Sequence, residues 1–208
     1  MTIAPRQRQA GSQPRMTLEQ YVELDGNNFD RNDARYELVN GVLVEMGAEN
    51  PLNPLIASFL FSVFLTQVGV PYSLIVIGHQ IGVSSTQATA RQPDLMIHTA
   101  ESKAAILKDG KILRAGQPAP KLVVEVVSNS LKDKPSHQRD YVEKPVEYAD
   151  RGIPEYWIVD PDRAVVKIGM LSGGAYQFTD FEGDTLLVSS GFPQLNLTAA
   201  QVLSAGES

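Results

Sequence analysis

Residues Leu122–Ser128 read LVVEVVS. Leu122, Val123, Val124, Val126 and Val127 are what a central strand covered on both faces is made of. Glu125 stands in their middle. An ionised carboxylate there must be ion-paired, hydrogen-bonded or bound to a metal ion, or its pKa must shift. A structural pair with an Arg or Lys and a metal site both satisfy that requirement. A solvent-facing Glu fits its neighbours poorly.

A second acid lies upstream in RQPDLMI, Arg91–Ile97. Proline offers no ladder donor, so Pro93 suits the mouth of a strand rather than its middle. Asp94 then stands just before the apolar run Leu95–Ile97. It is either a turn residue or a carboxylate held at a strand start to meet a cation. Carboxylates on two successive strands can converge on one hard divalent cation such as Mg²⁺.

Around these strands the periodicity is mixed. Thr17 and Gln20 form a capping-box pattern, which predicts a short helix over Leu18–Leu24, ended at Asp25-Gly26. Asn40-Gly41 between apolar runs predicts a hairpin of Tyr36–Val39 and Val42–Met46. Leu55, Phe59, Leu60, Val63 and Phe64 recur at helical spacing, which predicts a buried helix over Pro54–Val68. YSLIVIGHQIGVSS reads as strand broken near Gly78, and Thr99–Pro120 as a surface insertion, part helix and part loop. Tyr141, Val142, Val146 and Tyr148 suggest a helix stopped at Gly152. Pro145 interrupts it, so the helix either bends there or begins near Lys144. EYWIVDP, AVVKIGML, AYQFTDF and LLVSS read as strands, the middle two joined at Ser172-Gly173-Gly174, and TAAQVL as a closing helix. His79 reads as a strand-edge residue, and His98 and His137 as surface residues.

Composition bounds the rest. With 208 residues, 43% hydrophobic and 20% charged, the chain has the make-up of one globular domain. It contains no cysteine, which removes disulfides, zinc-thiolate sites and cysteine nucleophiles. The net charge of −6 lacks the basic footprint of a high-affinity DNA module. A nuclease whose carboxylates bind metal ions is still compatible with it. Residues 1–15 carry Arg6, Arg8 and Arg15 without an apolar core. They read as a flexible arm rather than a signal peptide, ahead of a single domain over 16–204. No run approaches the ~18 apolar residues of a membrane span, and the expected location is the cytoplasm.

Taken together, MTLEQYVEL, RYELVNGVLVEM, RQPDLMI, PKLVVEVVSNS, RDYVEKPVEYADRGIPEYWIVDP and FPQLNLTAAQVL resemble the Uma family of restriction endonucleases, within the PD-(D/E)xK nuclease superfamily. The resemblance runs from Met16 to Leu203. It implies a restriction-endonuclease-like α/β core, a central mixed sheet flanked by helices, with an added C-terminal hairpin. It implies a Mg²⁺- or Mn²⁺-dependent hydrolase that cuts DNA phosphodiester bonds as a homodimer. Asp94 and Glu125 match the two acids, and the Val126 carbonyl would join them on the metal. Glu37 of RYELV is implicated as an auxiliary acid. A structural pair with Arg35 or a Lys explains it equally well. The lysine expected two residues after Glu125 is replaced by Val127. Lys144 of YVEKPVEY is the candidate for a migrated lysine, and a surface pair with Asp140 is its plain alternative. Family members often carry a histidine early in the long helix, where this chain has Asn53. The missing in-strand lysine and the acidic balance also suit a catalytically degenerate nuclease fold serving as a dimeric binding or regulatory module.

Overall fold

The computed structural model describes residues 15–26, 36–45, 50–84, 89–128, 137–205 and 207. The arm expected over 1–15 lies almost wholly outside them, as do Arg35 and Met46. LVVEVVS supplies β8, Leu122–Val126, buried along its whole length. It pairs in parallel with β9, Glu155–Asp160, and antiparallel with β6, Leu95–Ile97. These three are the middle of a six-stranded sheet. It continues through β10 (Val165–Ser172) and β11 (Ala175–Glu182) on one side and β3 (Ile75–Val76) on the other.

Side-chain alternation sends β8 into two cores. Val124 and Val126 meet Ile56, Leu60, Val63 and Phe64 of the long helix α2, Leu52–Thr66, together with Trp157. Val123 and Val127 face the opposite way, toward Tyr148 and Tyr156. Glu125 shares that second face, beneath α4, Lys144–Asp150. β9 is buried by its own chain throughout, so the apolarity of EYWIVDP is accounted for within one copy.

The mixed α/β class is as expected, with the strands divided between two sheets. The second has five strands. Its order is β2 (Val42–Glu45), β1 (Tyr36–Val39), β5 (Thr89–Arg91), β4 (Gln80–Val83) and β7 (Ile112–Leu113). Only Gln92-Pro93-Asp94 separates β5 in one sheet from β6 in the other, so the chain changes sheets at the proline. Both hairpin turns have positive φ at their two central residues, Asn40-Gly41 and Gly173-Gly174, the geometry that matches strand twist. The predicted capping box closes α1, Leu18–Gly26: Thr17 N–H donates to Gln20 and Gln20 N–H to Thr17. The insertion holds α3, Ala100–Asp109, ended by Gly110 at φ 86°.

Two expectations change, and the choice left open at Pro145 falls to the second alternative: the chain makes a π turn over Arg139–Glu143, with Lys144 N–H donating to the Arg139 carbonyl, and α4 begins at Lys144. Pro145 thereby falls in the first helical turn, where a missing N–H costs nothing. LLVSS is not a strand. Leu186 makes one isolated bridge to Thr198, ahead of α5, Ala199–Leu203. Ser189 Oγ already takes the Phe192 N–H and Glu155 the Gly191 N–H, which turns the chain away. His98, expected at the surface, is buried. Its Nδ1 lies 2.9 Å from Ser102 Oγ and its Nε2 lies 3.1 Å from His79 Nδ1.

Burial, then the neighbouring His79 and Lys103, push the His98 pKa down to about 4. His79 is lowered by burial too. His98 is therefore neutral in the fold but binds a proton near pH 6.5 when unfolded. Its contribution to stability is complete above ~6.5 and is lost as pH falls through about 4. Urea midpoints measured across that window should decline, and the decline should be shallower in His98→Gln. An unchanged slope would contradict this assignment.

Candidate functional site

The end of β8 explains the Pro-Asp pair. Leu95 lies opposite Val124 in the β6–β8 register. Continued by two residues, that register sets Pro93 against Val126, and proline has no N–H to give the Val126 carbonyl. Side chains satisfy Val126 instead. Its N–H donates to Asp94 Oδ2 at 2.7 Å. Its carbonyl accepts from Asn53 Nδ2 at 2.9 Å, and the same amide donates to Ser128 Oγ at 2.8 Å. Asn53 rises from the first turn of α2.

One residue back, Glu125 turns toward α4 and is only 4% exposed. Its Oε2 accepts from Lys144 Nζ at 2.7 Å and its Oε1 from Tyr148 OH at 2.6 Å. Lys144 and Tyr148 are four residues apart, so one helix face delivers both. Lys144 Nζ also lies 2.9 Å from Asp140 Oδ1. The pairing with Asp140 thus exists, but Lys144 is as buried as Glu125 rather than solvated. Burial raises the Glu125 pKa. Lys144 pulls it back, while Glu37 and Asp140 push it further up. Burial disfavours the Lys144 cation, but Glu125 and Asp140, then Glu37, outweigh burial and raise its pKa. For Asp140, burial opposes the charge, and Lys144 with Arg139 overcomes it and lowers the pKa. Lys144 is therefore a fixed ammonium at neutral pH, and Tyr148, whose pKa burial also raises, keeps its proton.

Glu37 lies in an adjoining network. Arg91, fully buried, places Nε 2.8 Å from Glu147 Oε2 and Nη2 2.9 Å from Glu147 Oε1. Its Nη1 reaches Glu37 Oε2 at 3.1 Å, and Glu143 lies 3.6 Å away. Glu37 Oε1 accepts from Gln92 N–H at 3.2 Å. The bidentate fork fixes α4 to β5, and α4 carries Lys144. Arg91 stands in the RQPDLMI stretch and Glu147 three residues beyond Lys144. Their spacing was visible, but nothing in the sequence joins the two stretches.

Among the described residues, Glu37, Glu125, Asp140, Glu143 and Glu147 pair with Arg91, Arg139 and Lys144, and Asp94 accepts the Val126 N–H. Among the described residues no group of three or more His, Cys, Asp or Glu side chains is arranged to hold a metal ion. The polar groups shown at Val126 are the Asp94 carboxylate on its N–H and the Asn53 amide on its carbonyl.

The mixed α/β fold thus carries an acid at a strand mouth, an acid inside the next strand and a buried lysine on that acid. Residues 18–200 match the profile of the Uma2 family, described as "Putative restriction endonuclease", and the chain belongs to that family. Its fold is similar to the crystal structure of a "putative nuclease belonging to DUF820" from Anabaena variabilis. The TM-score is 0.64 and the identity 16%, over 92% of this chain and 99% of that one. Comparison with curated proteins found no match. No helix among the described residues is long and apolar enough to cross a membrane.

Lys144 separates two buried carboxylates, which sets an order of stabilities. Lys144→Met should cost ~3–5 kcal/mol, the loss expected when one partner leaves a buried pair. Glu125→Gln leaves Lys144 on Asp140 and should cost ~1 kcal/mol. Adding Glu125→Gln to Lys144→Met should restore part of the loss. Denaturant unfolding at neutral pH without divalent ions measures the cycle, and strict additivity would contradict the coupling.

Proposed function

We propose that this protein is a Mg²⁺- or Mn²⁺-dependent endonuclease of the PD-(D/E)xK kind that hydrolyses DNA phosphodiester bonds. The observation that carries the reading is the buried Glu125 held 2.7 Å from the Lys144 ammonium, one residue before the Val126 N–H that Asp94 accepts at 2.7 Å. An all-oxygen donor set suits a hard divalent ion. A buried Asn53 Oδ1 without a hydrogen-bond partner also suits a hydrated cation nearby.

Asp94, Glu125 and the Val126 carbonyl would hold the ion. When bound, it supplies Lewis-acid stabilisation and a water of lowered pKa. The chain's own groups do the rest. Lys144, kept protonated by its two carboxylates, acts on phosphate charge rather than as a base. Tyr148 fixes the Glu125 carboxylate. Glu37 serves as auxiliary acid by steadying Arg91 and, through Glu147, the helix that carries Lys144. In the reaction a water oxygen bonds to phosphorus, the bond to one sugar oxygen breaks, and that oxygen takes up a proton.

One observation favours a second reading, a degenerate nuclease fold acting as a dimeric binding or regulatory module. Both Glu125 oxygens already have donors, so metal entry must displace or share them. Plasmid nicking decides between the two. The nuclease reading expects cleavage with Mg²⁺ or Mn²⁺, none with chelator or Ca²⁺ alone, and a loss of at least ~100-fold in Asp94→Asn, Glu125→Gln or Lys144→Met. Cleavage that persists in Glu125→Gln would overturn it. A folded wild type that never cuts would favour the degenerate module.

A further inference from the structure

Asn53 carries a buried acceptor that the fold does not use. The residue is 5% exposed, and both its side-chain hydrogen bonds leave from Nδ2. Its Oδ1 is buried with no hydrogen-bond partner. A buried acceptor left unpaired is costly, and such groups in native folds usually have a water or ion to meet. Reversing the amide does not cure the defect. It would set Oδ1 against the Val126 carbonyl, which can only accept, so the neighbours fix the orientation. The free oxygen is therefore held one amide width from the carbonyl that, with Asp94 and Glu125, forms the candidate cation site. Apolar residues of α2 occupy the rest of that helix face, and none of them can satisfy it.

We propose that Asn53 is a positioning residue of that cation site: its Oδ1 accepts a hydrogen bond from the hydration shell of the divalent ion, while its Nδ2 holds Val126 in place. This rests on the metal reading above. Mg²⁺ parts with water reluctantly and is bound through few protein oxygens. Two carboxylates and one carbonyl leave positions to water, and those waters need acceptors around them. Outer partners of this kind typically govern metal affinity by 10–100-fold. Asn53 also joins the site to α2, so the large apolar core beneath that helix sets the position of the acceptor.

Mn²⁺ titration calorimetry on the full chain separates the two ends of the amide. Metal-free melting curves accompany each variant to show that it folds. Asn53→Ala removes both ends and should weaken Mn²⁺ about 10-fold or more. Asn53→Asp keeps the oxygen and discards the donor. If Oδ1 serves the cation, Asn53→Asp should bind Mn²⁺ at least as tightly as wild type. It should do so even in 0.5 M KCl, where longer-range charge effects are screened. If Asn53 only props up Val126 through Nδ2, Asn53→Asp should weaken binding as Asn53→Ala does, and that result overturns the proposal. Unchanged affinity in Asn53→Ala also overturns it. If Asn53→Ala fails to fold, Asn53→Asp decides alone. Wild-type protein that binds no Mn²⁺ at all would overturn the metal reading and this inference with it; binding that ignores Asn53 would overturn only the inference.

Discussion

A carboxylate inside a strand covered on both faces has to be neutralised where it stands. Glu125 is only 4% exposed, and Val123, Val127, Tyr148 and Tyr156 line the face it occupies. The element packed over it supplies a cation, Lys144 of α4. Much of the local construction follows from that need. The π turn over Arg139–Glu143 brings Asp140 onto the same ammonium and lets Pro145 sit in a first helical turn. Tyr148, one turn further along, fills the second Glu125 oxygen. The Arg91 fork on Glu147 then fastens the helix to the smaller sheet. A helix of seven residues has little stability of its own. Here it is held by ion pairs and by the packing of Tyr148.

The second constraint is the proline at the sheet change. A ladder residue with an N–H at position 93 would have closed over the Val126 carbonyl. Proline ends the ladder one step earlier, and Asp94 and Asn53 take the two orphaned backbone groups. The feature that terminates β6 therefore leaves a backbone oxygen with spare acceptor capacity beside the residue that Asp94 holds. Strand termination and site construction are one event here, which is why Asp94 serves both the strand and the candidate chemistry.

Much of the site was legible because its residues are out of place by local rules. Glu125 offends the β-branched run, Asp94 follows a proline at a strand mouth, and Lys144, singled out because Val127 stands where a lysine was expected, lies on Glu125. The Asn40-Gly41 and Gly173-Gly174 turns and the Thr17–Gln20 box were legible for the same local reason: each is a few residues of fixed stereochemistry. What escaped depends on long-range partners. Arg91 and Glu147 are 56 residues apart, so neither pattern shows the fork, nor the Arg91 of β5 that pairs with Glu37. His98 is polar and follows a strand, which suggests a surface, yet it is buried through His79 and Ser102. The division into two sheets is equally non-local, since strand composition does not tell which strands pair. Leu186–Ser190 reads as a strand, but its pairing stops after Leu187 N–H donates to Leu197, and just beyond it the N–H groups of Gly191 and Phe192 go to the side chains of Glu155 and Ser189.

Anomalous diffraction from crystals of the protein soaked in MnCl₂ tests the central claim, that Asp94, Glu125 and Val126 share one divalent ion. The account predicts a single manganese peak in contact with oxygens of Asp94, Glu125 and the Val126 carbonyl, with Lys144 Nζ shifted from its metal-free position on Glu125. A fully soaked crystal with no peak there, and with Lys144 and Tyr148 still bonded to Glu125, would contradict it. The acid in the strand would then be the anionic half of a structural ion pair.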